Sequence, residues 1–219
     1  MKSEMLIFNA IRRPWFSSVD SAFTLKCFFA GMIAAGNVYT LSNREVELLE
    51  RYAAFQTRYS SRENINKERW ADHIEFNAKD KFDSIEMAIT EIENFFGSDD
   101  QASLKVALAK NQGGETPTDF HSFWMAFCGS LDRWGVSRLT DFFAFHAGFS
   151  FYSEDLFMAK QADNTQISLN PNSDFAVFAK TELGLESECS LKGALFDLYG
   201  NSPVGLKKLS DLIVSFLSR

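Results

Sequence analysis

The segment of residues 140–152, TDFFAFHAGFSFY, places one histidine among six aromatic rings and close to a carboxylate. Imidazole is the side chain best suited to acid–base chemistry near neutral pH. Aromatic rings form the walls of many small-molecule pockets, to which a few polar groups add specificity. The segment therefore predicts a ligand site in which aromatic rings form the wall and polar side chains bind the ligand. The candidate ligand-binding residues are His146, Asp141, Tyr152, Trp124 and His121.

The spacing of the histidines and cysteines predicts no catalytic residue. His121 and Cys128 are seven residues apart on one predicted helix, which separates them by about 10 Å along the helix axis and argues against a Cys–His dyad. His146 falls at the edge of an aromatic stripe, where a neutral, hydrogen-bonded histidine at the core boundary is the simpler interpretation. An enzyme whose His121, His146 and an acidic group meet only in three dimensions remains an alternative.

Motifs for phosphate, nucleophile and metal chemistry are incomplete in this chain. The glycine spacing of residues 31–36 matches a P-loop, but asparagine and valine follow it in place of the required lysine and hydroxyl residue. Gly148 and Ser150 match the first half of the GxSxG pattern of a nucleophile elbow, but Tyr152 stands where the second glycine is needed. No ExxH, HExxH or CxxC spacing occurs, so we predict no metal and no cofactor.

The charge distribution favours a basic protein partner over nucleic acid. The chain has a net charge of −7, and residues 112–200 contain 12 acidic residues against five basic ones. Adjacent basic residues occur only at 12–13 and 207–208, whereas sequence-independent binding to nucleic acid needs clustered cations. An acidic surface repels phosphate and attracts cationic partners.

Cysteine usage and hydropathy predict a cytoplasmic protein that does not enter a membrane. The three cysteines are far apart and match neither a disulfide framework nor a zinc site. The N-terminal sequence is not that of a signal peptide. The most apolar stretch, residues 22–41, has an uncharged core of only residues 27–36, about half of the ~20 residues that a bilayer requires.

Helix-capping and helix-stop patterns recur along the chain, and strand patterns are few. They predict an all-α fold, a globular bundle of about eight or nine helices with little or no β-sheet. The predicted helix starts are Ser18 or Asp20, Ser42, Asn64, Asp83, Ser98, Pro117, Ser137, Pro171, Ser187 and Pro203, and the predicted stops include Gly36, Gly97, Gly184 and Gly200.

The aromatic segment is ambiguous between helix and strand. Phe142, Phe145, Phe149 and Tyr152 follow helical spacing, whereas a second set of its rings alternates with small or polar residues as in a strand. The length of the pattern favours a helix from about residue 137 to 160. Because the rings lie on opposite sides of such a helix, we expect a core helix with Asp141 and His146 at its polar margin.

The chain fits a single all-α domain, residues 1–219, and a division into two helical subdomains is also open. In that case residues 1–110 and 117–219 are joined by residues 111–116, NQGGET, the most linker-like segment. No internal repeat with a solenoid period is detectable.

Three functional hypotheses follow from these patterns. The first is a non-enzymatic, acidic, helical protein–protein interaction module of the immunity-protein, antitoxin or adaptor type, which binds a basic protein. The second is a small-molecule binder or sensor with an aromatic pocket, and the third is an enzyme with dispersed histidine and acidic residues. A homodimer is possible in each case.

Overall fold

The structure is a computed structural model that describes residues 18–38, 43–97, 119–155 and 167–219, with backbone only at residues 37, 43–45 and 151–155. These ranges contain helices and no strand, which confirms the all-α prediction. The α-helices are α1 Ala22–Val38, α2 Asn43–Glu63, α3 Trp70–Asn77, α4 Lys81–Gly97, α5 Phe120–Cys128, α6 Leu139–Asp155, α7 Asp174–Glu182, α8 Leu191–Tyr199 and α9 Pro203–Leu217. Short 3₁₀ helices occur at Lys67–Arg69 and Leu131–Trp134.

The C-terminal helices begin at serine caps, not always at the expected position. α9 begins at Pro203 as predicted, because the Ser202 side chain accepts a hydrogen bond from an N–H group of the first turn. The predicted start of α7 at Pro171 is wrong by three residues, since the preceding residues form a turn and Ser173 is the cap. The predicted start of α8 at Ser187 is likewise early, because Ser190 caps this helix.

Three predicted helix boundaries in the N-terminal part are also wrong. α1 continues past the predicted stop at Gly36 and ends at Val38. A single helix from Asn64 does not form, because Asn64 adopts a left-handed conformation (φ 53°) after the end of α2. α4 begins about a turn before the predicted cap at Asp83. Asp80 Oδ1 accepts a hydrogen bond from the Asp83 N–H group, and Asp83 Oδ2 accepts one from the Lys79 N–H group, at 2.9 Å each. The predicted starts at Ser42, Ser98 and Pro117 lie outside the described residues.

The aromatic segment forms α6, and its most extensive contact is with α1. The two helices approach closely enough for backbone to touch backbone. A Cβ atom on Gly31 would lie 2.0 Å from the carbonyl oxygen of Phe145, and a Cβ atom on Gly148 would lie 1.9 Å from that of Phe28. Glycine at both positions is therefore required by the packing of this helix pair.

Helices α1–α4 and α6–α9 follow the same order. In each set a 17-residue helix comes first, a helix of eight or nine residues comes third, and a fourth helix of 17 or 15 residues packs on the other three. The second helices differ, since α2 has 21 residues and α7 has nine. The start of the first helix is also built in the same way. Thr24 Oγ1 in α1 accepts the backbone N–H groups three and four residues earlier at 2.9 Å, and Asp141 Oδ2 in α6 does so at 3.0 Å.

The core contains most of the described phenylalanine side chains and is continuous across both sets of helices. Phe29 of α1 stacks on Tyr52 of α2 with ring centres 3.9 Å apart, and Phe127 of α5 stacks on Phe145 of α6 at 4.4 Å. Such pairs add to the apolar area that the rings bury. The expectation of a central core helix at residues 140–152 is thus confirmed for the part whose side chains are described. The predicted linker, residues 111–116, lies outside the described ranges, so the division into subdomains stays a prediction.

Among the described helices, none is at once long and apolar enough to cross a lipid bilayer. The apolar stretch that begins at residue 22 forms α1, whose side chains are largely buried within the protein.

Candidate functional site

Asp141 closes the first turn of α6 and is fully buried. Its Oδ2 atom accepts hydrogen bonds from the Ser137 hydroxyl at 2.9 Å and from two backbone N–H groups. Its Oδ1 atom lies 3.4 Å from Nη2 of Arg138 and from the hydroxyl of Thr140. Because both carboxylate oxygens are engaged by α6 itself, the carboxylate satisfies the helix end. The expectation that Asp141 lies at a polar margin is therefore wrong.

His146 is also buried, only 8% exposed, and is hydrogen-bonded on both ring nitrogens. Nε2 lies 2.6 Å from the carbonyl oxygen of Ile167, and Nδ1 lies 3.4 Å from the Ser150 hydroxyl. A carbonyl oxygen only accepts, so Nε2 carries the proton and Nδ1 is the acceptor. Burial lowers the pKa of His146, and its bond to the Ile167 carbonyl opposes this only in part. His146 thus faces protein as a neutral imidazole, and the expectation that it lies at a polar margin is wrong for it too.

Trp124 lies against His146 within the aromatic cluster. Their ring centres are 5.9 Å apart, and the Trp124 ring lies 6.1 Å from that of Phe142 and 5.2 Å from that of Phe149. The predicted pocket wall is thus assembled, but its rings contact one another. The indole Nε1 atom of Trp124 is buried without a hydrogen-bond partner. Such an orphaned donor is costly in a protein interior.

His121 lies on the exposed side of α5, about one turn before Trp124. Its Nε2 atom is 3.0 Å from the carbonyl oxygen of Leu217, near the end of α9, and the side chain is exposed. For Tyr152 only the backbone is described. The structure therefore brings His146 and Trp124 together and buries Asp141, five residues before His146, as a helix cap. His121 is exposed and bonded to the end of α9.

A cavity that the sequence did not predict lies between α2 and α4, with a volume of about 280 Å³. Its wall includes the rings of Phe55, Tyr59 and Phe95 and the charged side chains of Arg62 and Glu91. Arg62 Nη2 and Glu91 Oε2 form a salt bridge at 3.0 Å. Burial and nearby glutamates raise the pKa of Tyr59 to about 12, so it remains a phenol. The helical spacing of the aromatic residues 55 and 59 could have indicated the wall formed by α2. The opposite wall, formed by α4, begins 32 residues later in the sequence, so the sequence alone does not pair the two.

The described side chains contain no group of three or more histidine, cysteine, aspartate or glutamate residues able to hold a metal ion. The cysteines within them are free thiols and lie apart. Burial raises the pKa of Cys27, and nearby Asp141 adds to this effect. Burial raises the pKa of Cys128 to about 11. Neither thiol has the lowered pKa that a reactive cysteine needs.

The surface of α7 and the loop after it is acidic. Asp174, Glu186 and Glu188 are exposed there, and the apolar side chain of Val177 in the same segment is half-exposed. The lysine of this segment, Lys180, is buried instead.

The Lys180 amine is held inside the molecule by backbone oxygens. Its Nζ atom donates to the carbonyl oxygens of Pro171 at 2.9 Å and Ser187 at 2.5 Å. The cation therefore ties the following loop to α7 and does not offset the negative surface at close range. Of the four carboxylates of residues 174–190, Glu182 pairs with Nη2 of Arg219 at 3.2 Å. Asp174, Glu186 and Glu188 are exposed and have no lysine or arginine of the same segment beside them.

Comparison of the chain with protein-family models, with curated protein sequences and with solved structures finds no match.

Proposed function

We propose that this protein is a non-enzymatic interaction module that binds a basic protein through the acidic surface of residues 174–190, in the manner of an immunity protein, antitoxin or adaptor. The observation that carries the proposal is the withdrawal of Lys180 into the interior while Asp174, Glu186 and Glu188 stay exposed. Exposed carboxylates in the same segment as the exposed apolar side chain of Val177 suit a partner whose surface combines lysine or arginine residues with an apolar contact.

The buried positions of His146 and Asp141 support a binding role over catalysis. His146 is hydrogen-bonded to backbone and serine within the core, and Asp141 is occupied as a helix cap. A general acid or base must reach the atom that it protonates or deprotonates. Neither group is placed for that role on the described surface.

The experiment is affinity capture with the tagged full chain from the cells that produce it. The test variant is Glu186→Lys with Glu188→Lys, both in an exposed loop. The matched control is Glu47→Lys with Glu50→Lys, which makes the same change of charge on exposed positions of α2. We expect a basic protein that the wild type and the control retain and the test variant loses. Capture of no basic protein, or equal retention by both variants, would contradict the proposal.

A second candidate function, small-molecule binding, is favoured by the cavity between α2 and α4. Its aromatic wall can hold an apolar body, and the guanidinium of Arg62 can pair with a carboxylate of the ligand in exchange for Glu91. A thermal-shift panel of small aromatic and aliphatic acids tests this function. We expect a stabilisation that Arg62→Gln removes, and no shift with any compound would rule against it.

A further inference from the structure

Among the described residues five large hydrophobic side chains are exposed, and four of them lie at two helix corners. Phe76 and Phe82, at the corner between α3 and α4, are 88% and 79% exposed. Leu198 and Val204, at the corner between α8 and α9, are 53% and 67% exposed. Exposed apolar pairs of this kind mark contact surfaces more often than isolated apolar residues do.

The two corners are equivalent in the two sets of helices. Phe76 and Leu198 are each the last residue but one of the short helix, and Phe82 and Val204 are each the second residue of the following long helix. The members of each pair are six residues apart. The molecule therefore presents the same apolar feature twice.

Both corners lie at the end of the molecule where α1 and α6 begin. Ser84, in the first corner, accepts the Ala22 N–H group at 2.8 Å. Asn201, in the second corner, accepts the Thr140 N–H group at 3.1 Å.

The starts of α1 and α6 are themselves adjacent. The guanidinium carbon of Arg138, just before α6, lies 5.7 Å from the centre of the Phe23 ring in α1. The four exposed side chains therefore belong to one end of the protein.

The charges around the two corners are opposite in sign. Within four residues on either side of the first pair, residues 72–86, there are five carboxylates and two lysines, a net charge of −3. The same window around the second pair, residues 194–208, contains two lysines and one carboxylate, a net charge of +1. Lys207 Nζ also lies 4.0 Å from Oδ1 of Asp211, one turn beyond this window. We call these the acidic corner, residues 72–86, and the basic corner, residues 194–208.

We propose that this end of the protein is a homodimer interface in which the acidic corner of one copy docks on the basic corner of a second copy. In a two-fold dimer each contact between unlike surfaces occurs twice, so the acidic corner of each copy meets the basic corner of the other. The charges then attract across both contacts, and Phe76 and Phe82 are covered by Leu198 and Val204 of the second copy.

The corners are built as fixed surfaces. In the acidic corner, Asp80 and Asp83 cap the start of α4 with two backbone hydrogen bonds of 2.9 Å. In the basic corner, Ser202 accepts the Gly205 N–H group at 3.2 Å and donates to the Tyr199 carbonyl at 2.7 Å. Because these loops are already held in place, little conformational entropy is lost when two copies associate, and this favours binding.

The apolar part of the interface is tested by sedimentation of the full chain over about 1 µM to 1 mM, the range of weak to moderately tight complexes. We expect a monomer–dimer equilibrium whose Kd rises about tenfold or more in Phe76→Ala with Phe82→Ala, as for central interface residues. The control is Val177→Ala, an exposed apolar residue outside the corners, which should leave the Kd unchanged. A wild-type chain that stays monomeric throughout overturns the proposal.

The pairing of unlike corners is tested by mixing two charge variants. Asp72→Lys with Glu86→Lys reverses the acidic corner, and Lys207→Glu with Lys208→Glu reverses the basic corner. We expect each variant alone to dimerise about tenfold more weakly or worse, because its two contacts become repulsive.

In the equimolar mixture every contact again joins opposite charges, so we expect the heterodimer to recover close to the wild-type Kd. A mixture as monomeric as its components contradicts the pairing of unlike corners. The variants leave residues 174–190 unchanged, so failure of this proposal does not depend on the partner proposed for that surface.

Discussion

Gly148 of α6 lies directly against the carbonyl oxygen of Phe28 in α1, with no room between them for a Cβ atom. The reciprocal contact joins Gly31 to the carbonyl oxygen of Phe145. Because the obstacle on each side is backbone and not a flexible side chain, a larger residue at either glycine must push the helices apart.

Gly148→Ala is accordingly expected to lower the free energy of unfolding by about 3 kcal/mol, at the upper end for overpacked cores. Gly97→Ala is the control, because a Cβ atom there would have nothing within 4 Å. Urea denaturation of both variants measures the difference. A stability of Gly148→Ala equal to that of Gly97→Ala would mean that the helices are not packed as described.

Thr24 and Asp141 should both stabilise the fold as helix caps, since each accepts two backbone N–H groups before its helix. We expect Thr24→Ala to cost about 1–2 kcal/mol, the range of helix caps. Asp141→Ala should cost about 1 kcal/mol more, because a buried charged acceptor makes stronger hydrogen bonds. Denaturant titration tests both, with the exposed Asp132→Ala as a control. Losses no larger than that of the control would show that these side chains are not caps.

The fold class was predictable because its signals are local. Serine caps such as Ser202 and stops such as Gly200 lie within a few residues of the helix ends that they determine. Boundaries were misplaced where several residues could cap. Asp80 and Asp83 both carry a suitable carboxylate, and only the structure shows which one is the cap.

The correspondence between the two sets of helices could not be predicted from a sequence period. Gly31 and Gly148 are 117 residues apart, whereas Phe82 and Val204, the second residues of the fourth helices, are 122 residues apart. The spacing changes and the side chains differ, so what the two sets share is backbone arrangement.

In the candidate site, the aromatic stripe of α6 indicated that Trp124 and His146 belong to one cluster. It did not indicate which groups the polar atoms of these side chains would bond. Those bonds depend on partners such as Ile167, which lies 21 residues from His146 in the chain. Phe76 and Phe82, by contrast, lie off the apolar faces of α3 and α4 and could have been identified as exposed.

His146 should make stability dependent on pH. Burial holds its folded-state pKa below the ordinary value of 6.5, so the unfolded chain binds the proton first as pH falls. Stability is then complete above the unfolded pKa and declines below it, by up to about 1.4 kcal/mol per pH unit.

His146→Gln, which retains a donor for the Ile167 carbonyl, should lose this contribution. We expect its free energy of unfolding to fall less than that of the wild type between about pH 7.5 and pH 5. His121→Gln serves as the control on an exposed histidine and should retain the wild-type dependence. Identical pH profiles for wild type and His146→Gln would contradict the buried, neutral imidazole.

The cysteines should react with thiol reagents in an order set by burial. Cys27 is 2% exposed and its pKa is raised, so we expect it to be alkylated only when the protein unfolds. Cys189 is partly exposed in the loop after α7 and should react first. Mass spectrometry after timed iodoacetamide treatment measures the order. Native labelling of Cys27 as fast as that of Cys189 would contradict the packing around α1.

The most direct test of the proposed function is the salt dependence of binding between the purified chain and the basic protein that it captures. Steering by exposed carboxylates predicts an association rate that falls about tenfold or more as salt rises from low to physiological concentration. In Glu186→Lys with Glu188→Lys the rate should be low at every salt concentration, whereas Glu47→Lys with Glu50→Lys should retain most of the wild-type rate and its salt dependence. An association rate that is insensitive to salt, or equal in the two variants, would contradict the assignment of residues 174–190 as the binding surface.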